Sequence, residues 1–369
     1  MLRQMQYRSL ADLNRDVLRL LTQIPRDIDL VVGVPRSGLL AANLFALYLN
    51  LPLADVDGFL AGRTLASGRR GGTARDPAAP PTYRSILVVD DSISSGQQLR
   101  VVKERIAAAQ PAAQVAYVAV YATSVGASQV DFAGEIVEKP RCFEWNVLHH
   151  DQLDTFCVDI DGVLCLDPTS DENDDGERYE AFLREAIPYF LPTRKVGWLV
   201  TCRLERYRQH TERWLQRHGV QYGQLLMMQY PDAQARKQAG AYAEYKAEAY
   251  QRTGAALFIE SSERQAVRIA ALTGKPVLCL ETGTLATPDE LAAARRVARE
   301  LPQALPALLL RRARRGLSRL AAQATARATG QATDPAWPTL ARPSATPPAM
   351  PSTSQTFNSP MHHGRMAGR

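Results

Sequence analysis

The 369-residue chain has no apolar run long enough to cross a bilayer, and its charged, amphipathic opening, Met1 to Leu20, lacks the apolar middle of a secretory signal. Both absences predict a soluble, cytoplasmic protein without a membrane partner. Cysteine is scarce. Cys142, Cys157, Cys165, Cys202 and Cys279 form no CxxC pair, and several lie inside apolar runs, so buried reduced thiols are expected rather than disulfides or a zinc site. His149 and His150 lack metal-ligand spacing and are expected at the surface. The body of the chain also lacks excess positive charge. The formal net charge is +6, but residues 285–369 alone carry twelve arginines against four acids, which leaves the rest slightly acidic. Nucleic acid is therefore not an expected partner of the body. There is no sustained internal repeat.

What is present is a succession of apolar runs that end in unusual polar residues. In ILVVDDSISSGQQL, residues 86–99, Ile86 to Val89 read as a buried strand, and Gln97 to Ala109 as a helix with Leu99, Val102, Ile106 and Ala109 on one face. Asp90, Asp91, Ser94, Ser95 and Gly96 then stand at a strand-to-helix corner. The serine hydroxyls and the backbone N–H groups around Gly96, at a helix N-terminus, favour a phosphate. Asp90 and Asp91 repel one, but suit sugar hydroxyls or a magnesium ion bridging to phosphate oxygens. Together these are the needs of a ribose 5-phosphate.

The surrounding order supports an α/β chain with two doubly wound parallel sheets. A helix at about Ser9 to Gln23 precedes a strand, Ile28 to Val32, that runs into GVPRSG and a helix from about Leu39 to Leu49; Leu53 to Phe59 is a weaker strand. The segment GRTLASGRRGGTARDPAAPP has no apolar period and predicts a long mobile loop. A strand at Val115 to Tyr121 follows the Asp90 corner. A second series begins near Asp154, with strands at TFCVDIDGVLC, Lys195 to Val200, Gln224 to Met228, Ala255 to Ile259 and Pro276 to Leu280, and helices at about Glu205 to His218 and Ala233 to Arg252. The expected divisions are 1–150, 151–287, a basic helical segment 288–325 and a disordered tail 326–369 rich in Pro, Ala, Thr and Ser. The basic segment could touch RNA or acidic lipid, but is expected to be a solvated face or packing arm.

VVDDSISSGQQL resembles the phosphoribosyl diphosphate (PRPP) motif of the type I phosphoribosyltransferases, and GVPRSG resembles their pyrophosphate-binding loop; the resemblance covers about residues 7–150. It implies that Asp90 and Asp91 hold the ribose hydroxyls. Ser92, Ser94, Ser95, Gly96, Gln97 and Gln98 would wrap the 5-phosphate, and Pro35, Arg36, Ser37 and Gly38 would meet the pyrophosphate. The Arg/Gly-rich segment occupies the place of the family's catalytic loop, with Arg63, Arg69 and Arg70 as candidates to close over the site. Two departures are Ser94 and Ser95 in place of threonines, and Gln98 where a hydroxyl residue is common. In CFEWNVLHH, residues 142–150, Phe143 and Trp145 either stack on the acceptor base or pack between domains.

In CVDIDGVLC, Asp159 and Asp161 lie two apart at a strand's end, so both side chains point one way. That suits one carboxylate attacking phosphorus while the other handles the leaving group's proton, with Gly162 allowing a tight turn. Thr201 and Glu260 end two further strands. The set resembles the haloacid dehalogenase (HAD) phosphatase superfamily over about residues 153–284. By that resemblance Asp159 is the nucleophile, Asp161 the acid/base, Thr201 a donor to the phosphoryl group and Lys246 the balancing cation, with Lys237 its competitor. Glu260 would hold Mg2+ with Asp159 and the Asp161 carbonyl. ESSE departs from the family pattern, carrying Glu263 where aspartate is usual. Only 39 residues separate Asp161 from Thr201, too few for a large cap, so the site is expected to be either open or roofed by something else, for which the first domain is the natural choice. The acidic run 167–177 is expected to be a solvated loop that discourages polyanions.

The expected function is a bifunctional enzyme: transfer of phosphoribosyl from PRPP to a nitrogenous base with release of pyrophosphate, then magnesium-dependent removal of the nucleotide's phosphate to leave a nucleoside. The alternative is a PRPP- or nucleotide-sensing domain attached to a phosphatase. Neither reading names the base, and both leave room for an oligomer.

Overall fold

The computed structural model describes residues 5–65, 83–109 and 113–288. Thirteen strands are found among them, in three sheets. The first major sheet is wholly parallel, in the order β3-β2-β4-β5-β6. Its strands are β2 (Leu30–Gly33), β3 (Leu53–Asp55), β4 (Ser85–Ile93), β5 (Gln114–Ala122) and β6 (Phe132–Ile136). A parallel ribbon pairs β1 (Gln6–Arg8) with β7 (Arg141–Phe143). The second major sheet has the order β10-β9-β8-β11-β12-β13. It comprises β8 (Phe156–Val158), β9 (Val196–Leu204), β10 (Tyr222–Met228), β11 (Leu257–Glu260), β12 (Val277–Cys279) and an antiparallel edge, β13 (Thr284–Ala286), beyond the last strand expected from the sequence.

Apolar residues on both faces of each central strand require helices on both sides. In the first sheet, Leu87 and Val89 face Leu13, Val17, Ala42 and Phe45 from the helices Leu10–Leu20 and Gly38–Leu49, while Ile86 and Val88 face Leu99, Val102 and Ile106 from the helix Gln97–Ala109. Ser9 starts the first of these helices with a reciprocal cap: its hydroxyl accepts the Asp12 N–H, and Asp12 accepts the Ser9 N–H. The single helix expected over Ala233 to Arg252 is two, Ala233–Ala239 and Tyr242–Thr253, because Gly240 adopts φ +59° and ends the first.

Two strands run further than their apolar runs. β4 continues through Asp90 and Asp91 to Ile93, since the long neighbour β5 supplies pairing partners as far as Ala122. β9 continues past Thr201 to Leu204. The corner carboxylates are thus on strand, not after it.

Both sheets belong to one compact unit of the described residues. Met5, Cys142, Val147 and Leu148 pack into the second sheet's core, and the Tyr7 hydroxyl donates to the Gly283 carbonyl at 2.9 Å. Among the described residues no helix is long and apolar enough to cross a membrane. The expected basic segment and tail, from residue 289 on, lie outside the described residues, as do Arg69, Arg70 and most of the expected loop.

Each major sheet has one switch point. The chain passes from β2 outward to β3 and returns on the other side at β4; likewise it runs outward from β8 through β9 to β10 and returns at β11. Crevices outside the C-terminal ends of such strand pairs are where open α/β sheets bind ligands.

Candidate active sites

At the first switch point, Gly33 pairs with Val89 and the Val34 N–H donates to the Val89 carbonyl at 2.9 Å. GVPRSG therefore leaves β2 directly beside Asp90. The approach is so close that a Cβ on Gly38 would come within 2.9 Å of both the Asp90 carboxylate and the Val89 carbonyl. Only glycine lets the helix Gly38–Leu49 begin there. Pro35 and Arg36 are exposed, their shared peptide is cis, and Ser37 is half-buried with no capping bond to the helix.

Asp90 is partly buried, and burial together with the adjacent Asp91 pushes its carboxyl up to about 8. Asp91 is buried and accepts the Trp145 indole N–H at 2.8 Å. Downstream, Ser92 and Ser94 are half-buried, while Ser95, Gln97 and Gln98 are exposed at the start of the helix Gln97–Ala109. The loop is held from behind. The Thr123 hydroxyl donates to the Ser94 carbonyl at 2.7 Å, and Gly96, at φ +75°, passes so near Gln129 that a Cβ would collide with it.

The segment Glu144–His149 closes the other side of this crevice. Asn146 accepts a hydrogen bond from the Arg36 guanidinium and donates to Ser37. Trp145 stacks on Phe143 at 5.1 Å, and Phe143 on Tyr121 at 5.3 Å. Of the two roles open to these aromatics, Phe143 packs inside the first sheet's own core, and Trp145 both packs there and holds Asp91. His149 meets Thr193 at 2.9 Å, where burial and the nearby Arg36 lower its pKa.

At the second switch point the Asp159 N–H donates to the Ile259 carbonyl, which sets Asp159 beside Glu260 on the neighbouring strand. Lys246, from the helix Tyr242–Thr253, donates to both carboxylates at 2.7 Å each. All three side chains are almost fully buried. Burial raises the Asp159 carboxyl and Lys246 pulls it back; the two carboxylates in turn hold Lys246 well above the usual lysine range. Lys237 reaches the same cleft but is exposed, so Lys246 is the lysine at the centre. Thr201 is fully buried on β9, and Glu263 is exposed and outside the cluster.

One central residue escaped the sequence reading. Arg203 is fully buried and grips Asp161 through Nη2 at 2.6 Å and Nε at 3.1 Å. It lies two residues beyond Thr201 on the same strand, hence on the same face, and became visible only once β9 was seen to extend that far.

The magnesium set expected at Asp159, Asp161 and Glu260 does not fit this arrangement. Its oxygen donors, two carboxylates and the Asp161 carbonyl, suit a hard cation, but the carboxylates of Asp159 and Glu260 are bridged by an ammonium group. Among the described residues no group of three or more His, Cys, Asp or Glu could hold a metal ion. The expected roof is also corrected. The cleft, about 270 Å³, is lined by Asp167, Pro168, Asn173 and Tyr179 together with Asp159, Asp161 and Lys246, and among the described residues none of its lining comes from the first sheet. Part of the acidic run is therefore built in as wall, and burial with nearby Asp161 raises Asp167 to about 6.

Residues 6–151 match the family model described as phosphoribosyl transferase domain. Among solved structures, the Helicobacter pylori xanthine-guanine-hypoxanthine phosphoribosyltransferase is 18% identical over 39% of this chain and 92% of that one, with a TM-score of 0.29. A purine phosphoribosyltransferase from Pyrococcus horikoshii is 20% identical over 39% and 94%, with a TM-score of 0.29. A chain of a Pnkp1/Rnl/Hen1 complex is 15% identical over 69% and 96%, with a TM-score of 0.22. No curated protein matches the chain.

Proposed function

We propose, on the match of residues 6–151 to a phosphoribosyl transferase domain, that the first crevice transfers phosphoribosyl from PRPP to a nitrogenous base and that the second hydrolyses the phosphomonoester so formed. The observation that carries the first half is the adjacency of the two loops across the Val34–Val89 hydrogen bond. Asp90 and Asp91 accept from the ribose hydroxyls, while Ser92, Ser94, Ser95 and the N–H groups from Gly96 to Gln98 receive the 5-phosphate. Pro35 to Gly38 receive the pyrophosphate, which brings Mg2+ with it as part of the substrate. As the anomeric C–O bond breaks, positive charge develops on the sugar and negative charge on the leaving group. Arg36 neutralises the latter.

At the second crevice, Asp159 supplies an electron pair to phosphorus as the bond to the leaving oxygen breaks. Asp161, oriented by Arg203, delivers the proton to that oxygen and then takes one from the water that cleaves the phospho-aspartate. Lys246 and Thr201 offset the phosphoryl charge. Support for this half comes from the convergence of Asp159, Glu260 and Lys246 at a switch point.

The test supplies PRPP, Mg2+ and a panel of bases, and follows pyrophosphate; a panel of nucleotides then follows inorganic phosphate. Pyrophosphate release with at least one base is expected. PRPP binding by calorimetry without release from any base would instead make the first domain a ligand sensor.

A further inference from the structure

Two arginines are buried at the second crevice, and only one has a counter-charge. Arg203 is matched by Asp161. Arg236, 7% exposed and lining the same cleft, has no carboxylate within salt-bridge distance among the described residues. Its partners are neutral: Nη1 donates to the Cys202 carbonyl at 2.7 Å, the Tyr179 hydroxyl lies within hydrogen-bonding reach, and the guanidinium sits 5.9 Å from the Tyr242 ring. Its Nε is buried without any acceptor.

A buried guanidinium without a counter-ion, and with an unmet donor, is costly unless a ligand completes it. The other charges of the cleft do not. Lys246 already serves Asp159 and Glu260, and Asp167 lines the cleft beyond salt-bridge distance of Arg236. Lys237, the next residue, adds positive charge at the rim. Gln265 also lines the cleft, and its amide oxygen is buried without a donor, which suits a hydroxyl of the same ligand.

Building on the phosphatase reading, we propose that Arg236 is an anion subsite for the leaving group, so that the preferred phosphomonoester carries a second anionic group, phosphate or carboxylate, besides the phosphoryl attacked by Asp159. The subsite binds and orients; it takes no part in bond-making. Guanidinium is suited to the task because its planar fork matches either oxyanion in bidentate fashion.

The experiment compares kcat/KM for uridine 5′-monophosphate with uridine 3′,5′-bisphosphate and with orotidine 5′-monophosphate, in the full chain and in Arg236→Gln and Arg236→Lys. The expected result is a preference of about tenfold or more for one of the two doubly anionic esters. That ester identifies the second group as phosphate or carboxylate. In Arg236→Gln the ratio should collapse to within about twofold, and in Arg236→Lys it should survive in part. Equal kcat/KM values in the wild-type chain, or equal losses for all three esters in Arg236→Gln, would overturn the subsite while leaving the phosphatase intact. If no ester yields phosphate, calorimetry with the two doubly anionic esters decides separately: heat lost in Arg236→Gln sustains the subsite without the reaction, and unchanged heat rejects it. Should Arg236→Gln fail to fold, Arg236→Lys alone decides, since unaltered ratios and heats there would reject the subsite.

Discussion

At the crevice between β2 and β4, Asp90 and Asp91 make no salt bridge among the described residues; Asp91 accepts the Trp145 indole N–H, and the buried Arg141 acts on the pair only through space. At the crevice between β8 and β11, Asp159 and Asp161 each hold a buried cation, Lys246 and Arg203. The two sheets share a topology at these points, so under the proposed function the difference lies in what each rim receives. Carboxylates without a cation in contact, one of them holding its proton to about pH 8, suit neutral hydroxyls rather than phosphate. Compensated carboxylates allow a phosphoryl group to approach an anionic nucleophile.

The sharpest way to break the contrast is at Asp159. Asp159→Asn should lower phosphate release by about 10³-fold or more while pyrophosphate release from PRPP stays at the wild-type rate, as coupled product assays would read. Next is the compensation itself. Arg203→Met leaves Asp161 with no guanidinium and should cost about 3 kcal/mol in urea unfolding. A double variant with Asp161→Asn should recover part of it.

Asp90 tests the opposite rim. Its folded value near 8 lies far above the ordinary 3.8, so between those pH values the folded chain keeps a proton that the unfolded chain has lost. Stability should therefore fall as pH rises from about 4 to about 8. Asp90→Asn removes the titration: without ligand it should melt a few degrees above wild type at pH 8 and together with it at pH 4. The same variant should lower pyrophosphate release by about 10²-fold. The smallest effect is expected for Trp145→Phe, which keeps the stacked ring but deletes the N–H held by Asp91. It should raise the KM for PRPP about tenfold, the low end of the worth of one hydrogen bond to a charged group, without changing phosphate release from supplied nucleotide.

How much of this was legible depends on how local each feature is. GVPRSG and VVDDSISSGQQL are each a strand, a loop and a helix start within some fifteen residues, and their adjacency follows from parallel order. Lys246 could be preferred to Lys237 because its helix leads directly into β11. Arg203 was hidden by the assumption that β9 stops at Thr201; alternation along a longer strand places it beside Asp161. Trp145 on Asp91 and Asn146 on Arg36 were beyond reach, because they depend on the β1–β7 ribbon returning the segment 144–149 to the rim of the first sheet. The roof was misassigned for a similar reason. Asp167 to Tyr179 reads as polar and acidic, whereas the turn at Gly162, with φ +73° and packed against Ser261, lets the chain come back to the cleft that holds Asp159 and Lys246.

The central claim is that the two rims act in succession on one nucleotide. Incubating the wild-type chain and Asp159→Asn with PRPP, Mg2+ and a productive base, and following pyrophosphate, phosphate, nucleotide and nucleoside together, tests it most directly. The account predicts equal yields of pyrophosphate and phosphate with nucleoside from wild type, and nucleotide accumulating in step with pyrophosphate in Asp159→Asn. Nucleotide accumulating from the wild-type chain, or undiminished phosphate from the variant, would contradict it.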